Sequence, residues 1–165
     1  MATRDQFVNA VINIWKNHGV YIWGGNGEYV QRLTVKEIQH MEDSDANRAR
    51  VFRFIALCFD RGYTMTKSRA VDCSGLAIAA LREINAIGPT DDYRARDLQS
   101  MSTKKALSEL KAGDMVFDKM TDASHCGIYI GDDMVIESQG RDYGVTKNRL
   151  SDRGWMIGGS LPFFK

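Results

Sequence analysis

Cys73 stands between Asp72 and Ser74-Gly75, ahead of the run Leu76, Ala77, Ile78, Ala79, Ala80, Leu81 and Ile84. That run reads as a helix buried over most of its circumference, with Asp72 as N-cap and Cys73 in the first turn. Unpaired N–H groups and the positive end of the helix dipole favour a thiolate there, which makes Cys73 a candidate nucleophile. Taken alone, the residue reads equally as an ordinary buried cysteine. A thiol nucleophile needs a base, and the chain has three histidines. His18 reads as a cap at the end of the first helix, and His40 as an exposed residue in a charged segment. His125 is out of place, because it opens a strand otherwise made of Cys126, Gly127, Ile128, Tyr129 and Ile130.

The base needs an orienter on its second ring nitrogen. Strand alternation puts His125 on one face with Gly127 and Tyr129. After the turn Gly131-Asp132-Asp133, an odd loop or a bulge returns Glu137 or Gln139 to that face, whereas a two-residue loop returns Ser138 and Gly140. The register is open at this stage. Glu137 is the preferred orienter, because a carboxylate both fixes the tautomer and stabilises an imidazolium; Gln139 is the alternative. Cys126 points to the opposite layer and reads as structural.

The elements that must position these groups follow from caps and periodicity. Thr3 to His18 reads as a helix with a Thr3/Gln6 capping box and Gly19 as its left-handed stop. Val20 to Gly25 reads as a core strand and turn, or as the wall of a cleft. Within 26–70, Thr34 to Met41 and Ser44 to Arg61 read as two helices, the second stopped by Gly62, with Cys58 structural. The central helix closes near Asn85, before Gly88-Pro89, and 92–101 reads as a polar helix. Met115 to Asp118, Ser124 to Ile130 and Met134 to Gln139 read as strands, with Gly144 to Leu150 and Met156 to Phe164 as weaker candidates. Helices first and an antiparallel meander after them point to an α+β domain over 1–165.

Composition bounds the function. The 165 residues suit one domain with a real core, and 44% apolar and 26% charged residues are ordinary for a globular protein. A net charge of +1 favours neither nucleic acid nor an anionic membrane as partner. No apolar run is long enough to cross a bilayer, so membrane insertion is not expected. Three widely spaced cysteines (Cys58, Cys73, Cys126) argue against a disulfide framework and against a paired-cysteine zinc site, and no metal or other cofactor is called for. Met1-Ala2-Thr3-Arg4-Asp5 lacks the layout of a secretory signal, so the expectation is synthesis in the cytoplasm with any outside action dependent on other delivery.

The motifs also carry a resemblance. Asp72-Cys73-Ser74-Gly75-Leu76, then Leu110-x-x-Gly113-Asp114-x-Val116-Phe117, then His125-x-Gly127-Ile128-Tyr129-Ile130-Gly131 resemble the signature of NlpC-type cell-wall cysteine peptidases, papain-like hydrolases of bacterial peptidoglycan. Tyr21-x-Trp23-Gly24-Gly25 resembles the segment that precedes the cysteine in that family. The resemblance implies a papain-like fold, attack by Cys73 on an amide carbonyl, His125 as base and then acid, and Glu137 at the position of the family's polar orienter. It further implies the Cys73 N–H as an oxyanion donor, Tyr21 in the substrate groove, and Asp72 and Ser74 contacting the free amine of a γ-D-glutamyl substrate. Asp72 is equally explained as the helix cap. The expected partner is the stem peptide of peptidoglycan, cleaved by an endopeptidase or an N-acetylmuramoyl-L-alanine amidase. The helical insertion at about 26–70 departs from the family pattern and reads as a lid, a docking surface or plain packing. The run Glu137 to Val145 resembles phage members, which implies an endolysin released at lysis or a tail-associated enzyme working beside other phage proteins. An acyltransferase or deamidase on the same fold, or a non-catalytic virion domain, are the competing readings.

Overall fold

In the computed structural model, which describes residues 2–164, local caps decide where the helices begin. Helix α1 (Arg4–Lys16) starts at Thr3, whose hydroxyl accepts the Gln6 N–H at 3.2 Å while the Gln6 side chain accepts the Thr3 N–H at 3.0 Å. Its left-handed stop is His18 (φ 57°), not the expected Gly19. Gly19 serves space instead: a Cβ there would press on the Val145 side chain at 2.6 Å. Strand β1 (Asn26–Tyr29) follows, then helices α2 (Val35–Met41) and α3 (Asp45–Asp60), then strand β2 (Arg69–Val71). The β1–β2 pair closes this segment on itself and was not legible, since strands this short carry no alternation. Ile38, Val51, Cys58 and Met65 are buried against Val20, Ile22 and Ala70, so the helical segment packs behind the 20–25 wall.

Helix α4 (Cys73–Glu83) is the centre of the molecule, with every residue from Gly75 to Leu81 buried. It packs on α1 and on a six-stranded antiparallel sheet. Helix α5 (Ala95–Met101) leads into that sheet, which comprises β3 (Thr103–Lys105), β4 (Met115–Phe117), β5 (Cys126–Gly131), β6 (Met134–Gly140), β7 (Gly144–Arg149) and β8 (Ile157–Ser160), in the order β3-β8-β4-β5-β6-β7. Cys126, Ile128 and Ile136 face α1 and α4, while Val116, Val135 and Trp155 form a smaller cluster. The fold is α+β and papain-like. No helix among the described residues is long and apolar enough to cross a membrane.

The β5–β6 register settles the parity question. The turn is Asp132-Asp133, both at positive φ (52° and 61°), which gives the sense of twist that a two-residue hairpin needs. The expected three-residue loop is therefore corrected. A bulge between Tyr129 and Gly131 restores the parity the short turn would have lost, with Tyr129 opposite Val135 and Gly131 opposite Met134.

Asp114, at the start of β4, is wholly buried and ties α1, β3 and β8 together. It accepts from Arg4 (2.6 Å), Lys105 (2.9 Å), the Ser160 hydroxyl (2.7 Å) and the Lys111 N–H (2.8 Å). Burial alone would raise this carboxyl, but the donors, Lys105 foremost, hold it at about 2. Its pKa is thus lower folded than unfolded, so its contribution is present above about pH 4 and lost as the pH falls towards about 2. Asp114→Asn should cost about 3 kcal/mol in urea unfolding at pH 7 and flatten the loss of stability between those two pH values.

Candidate active site

The floor of the site is set by one carboxylate. Asp72 Oδ1 accepts the Gly75 N–H at 2.8 Å and caps α4, while Oδ2 accepts the Gly24 N–H at 2.9 Å and fastens the 20–25 wall to the helix. The Asp72 N–H in turn donates to the Gly25 carbonyl at 3.0 Å. Position 75 must be glycine, because a Cβ there would overlap that same carbonyl oxygen. Cys73 is therefore held at the first position of α4, where its own N–H has no intrahelical acceptor. Burial pushes the Asp72 carboxyl up to about 6 against the pull of its hydrogen bonds.

His125 sits just before β5, not on it, and is fixed by the loop that precedes it. Asp118 accepts the His125 N–H (3.0 Å), the Ser124 N–H (3.0 Å) and the Ser124 hydroxyl (2.7 Å). Buried Gln99 of α5 spans the same loop, donating to the Lys119 carbonyl at 2.7 Å and accepting the Ala123 N–H at 2.9 Å. The indole of Trp155 stacks on the imidazole, 9° from parallel with centroids 5.5 Å apart.

Three functional groups meet here. His125 Nε2 donates to Glu137 Oε2 at 2.6 Å, which leaves Nδ1 for the sulfur. Glu137 is wholly buried and also accepts from Arg153, at 2.7 Å on Oε1 and 3.3 Å on Oε2. The Cys73 thiol lies 3.8 Å from the Ser124 carbonyl and lines the same cleft as His125. Its pKa falls to about 5, drawn down by the neighbouring Cys126 thiol, against burial, and then by His125. Burial opposes charge on His125, but Cys73 and Glu137 outweigh it and raise the imidazole to about 9. Burial likewise opposes the Glu137 carboxylate, which His125 and Arg153 keep below its ordinary range. The resting pair at neutral pH is thiolate and imidazolium.

The alternative orienter is excluded by position. Gln139 turns to β7 and accepts from Thr146 (2.9 Å) and Asn148 (3.3 Å), away from His125. Tyr21 and Ser74 line a cleft of about 610 Å³ together with Trp23, Asp72, Cys73, Arg94, Arg96 and His125. Arg141 lies over the Tyr21 ring at 5.3 Å, and the Ser74 hydroxyl is 3.4 Å from Asp72. A cavity of about 700 Å³ lies beyond Gly24 against α2, lined by Glu28, Lys36, Glu37 and His40 and by no cysteine. Cys126 faces the helix layer as expected, yet it also touches the site, its thiol donating to the Cys73 carbonyl at 3.4 Å.

Sequence reasoning missed Arg153, Trp155 and Glu42. Buried Glu42 accepts the Trp23 N–H at 2.9 Å and the Arg141 guanidinium at 2.7 Å, so the helical segment holds the cleft wall in place. None of the three sits in a periodic stretch, and their partners are distant in the chain. Asp118 did leave a signal, a carboxylate at the end of one strand facing Ser124-His125 at the start of the next.

A cysteine at the head of a central helix, facing a histidine at the edge of an antiparallel sheet, defines a papain-like thiol site. The NlpC/P60 family model matches residues 61–157, and the chain belongs to that family. Curated relatives include the probable endopeptidases Rv2190c of Mycobacterium tuberculosis and Mb2213c of Mycobacterium bovis, each 39% identical over 74 residues. Those matches cover 45% of this chain and 18% of theirs, so the chain spans less than a fifth of the curated relatives it matches. Among solved structures, the P60 domain of antigen MAP1204 from M. avium subspecies paratuberculosis superposes with a TM-score of 0.60 at 17% identity, covering 96% of both chains. The peptidoglycan hydrolase RipB of Mycobacterium tuberculosis superposes at 0.61 with 21% identity, covering 96% of this chain and 66% of its own.

Iodoacetamide should label Cys73 at a rate that is level from pH 8 to about 6 and falls only near about 5. Glu137→Gln removes the countercharge behind the imidazolium and should move that fall to higher pH. A wild-type rate that climbs through about 8.5, as for a free thiol, would contradict the ion pair.

Proposed function

We propose that the protein hydrolyses an amide bond in the stem peptide of bacterial peptidoglycan by a Cys-His thiol mechanism. The observation that carries this reading is the coupled set Cys73, His125 and Glu137 in an open cleft of an NlpC/P60 domain. Relatives named endopeptidase and peptidoglycan hydrolase support the substrate class.

In this scheme the Cys73 thiolate attacks the amide carbonyl carbon, and the oxyanion forms against the free Cys73 N–H. The His125 imidazolium gives its Nδ1 proton to the leaving amine, which leaves an acyl-enzyme. Neutral His125 then takes a proton from water, whose oxygen attacks the thioester and frees the acid. Glu137, held from behind by Arg153, keeps the other ring nitrogen protonated throughout. Asp72, Ser74 and Tyr21 line the cleft where a γ-D-glutamyl-diamino acid substrate would lie, and we read the protein as an endopeptidase for that linkage. Asp72 retains little freedom for a substrate amine, since each of its oxygens already accepts a backbone N–H. We further read it as a phage enzyme, an endolysin or a tail-associated hydrolase, on the strength of the Glu137 to Val145 run.

Purified walls and defined stem peptides, analysed by mass spectrometry of the fragments, test this directly. Wild type should release a new amine and carboxylate at one linkage, Cys73→Ala should release none, and Glu137→Gln should be slower by about 10²-fold. Equal release by wild type and Cys73→Ala would overturn the proposal.

A further inference from the structure

The thiol of Cys126 makes and breaks no bond in amide hydrolysis, yet it is wholly buried against the Cys73 backbone. It heads β5, immediately after His125, and its side chain faces the start of α4. It donates to the Cys73 carbonyl at 3.4 Å, so its sulfur lies against the backbone of the residue that carries the other thiol. Cys58, the remaining cysteine, is buried in the separate cluster behind the cleft wall. Cys73 opens on the cleft. Small oxidants therefore reach Cys73 first, and Cys126 is sheltered from them and from external thiols.

We propose that Cys73 and Cys126 form a reversible oxidation site, in which hydrogen peroxide oxidises Cys73 and Cys126 resolves it as an internal disulfide. The Cys73 thiolate attacks one peroxide oxygen, the O–O bond breaks, and the departing hydroxide takes a proton from His125 and leaves as water. Cys73 is then a sulfenic acid. The Cys126 sulfur attacks the Cys73 sulfur, the S–O bond breaks, and the second hydroxide leaves as water with the Cys126 proton. Two thiols lose two electrons and the peroxide is reduced to two waters. The disulfide blocks the nucleophile and protects it from the irreversible sulfinic and sulfonic acids, and a dithiol restores it.

The test is intact-mass and peptide mapping of the folded protein after hydrogen peroxide, followed by dithiothreitol. It needs no wall substrate, so its outcome is independent of the proposed hydrolysis. Wild type should become lighter by two hydrogens, yield a Cys73–Cys126 cross-linked peptide, and return to its starting mass and iodoacetamide reactivity with dithiothreitol. Cys126→Ala and Cys126→Val should instead accumulate sulfinic and sulfonic acid at Cys73 with no recovery. Wild type that gains oxygens at Cys73 without a cross-link, or that bridges through Cys58, would overturn the proposal whatever the variants do.

Discussion

A thiolate survives at Cys73 because the Cys126 thiol and an imidazolium stand beside it, and the imidazolium survives partial burial because the thiolate and Glu137 hold it. Each charge is unfavourable alone in this setting, since burial works against all three of Cys73, His125 and Glu137. The set is stable only when complete. Arg153 extends it by one more charge, clamping a carboxylate that has no access to water. The chain of contacts therefore runs from a partly exposed guanidinium through buried Glu137 and half-buried His125 to a sulfur on the cleft floor.

The scaffold exists to keep that chain in line. Asp72 joins the helix that carries Cys73 to the 20–25 wall of the cleft. Asp118 and Gln99 stiffen the loop that delivers His125. Glu42, at the end of α2, grips Trp23 and Arg141, and Arg50 of α3 grips Asp142 at the tip of the β6–β7 hairpin. Of the roles the sequence left open for residues 26–70, packing is the one these contacts describe: the segment braces the cleft from behind.

Helix α4 and its cap were legible because the signals are local: an aspartate three residues before the amide it caps, then an apolar run. Cys73 and His125 stood out for the same reason, as polar residues in apolar company. Glu137 was legible only up to a register, because a bulge at Tyr129–Gly131 is decided by both strands at once. Gly19 misled: the backbone demand fell on His18, and glycine was required by the approach of β7. Arg153 and Glu42 were invisible because their meaning lies in partners 16 and 99 residues away. Cys126 was correctly assigned to the helix face, but strand parity carries no information on how near that face brings it to Cys73.

The ion pair stands or falls with the protonation of one ring, and nitrogen NMR of His125 in wild type and Cys73→Ala reads it most directly. A thiolate–imidazolium pair predicts a doubly protonated imidazole at pH 7 that titrates near 9 in wild type and at clearly lower pH once the thiolate is gone. A singly protonated ring at pH 7, titrating near 6.5 in both proteins, would contradict it.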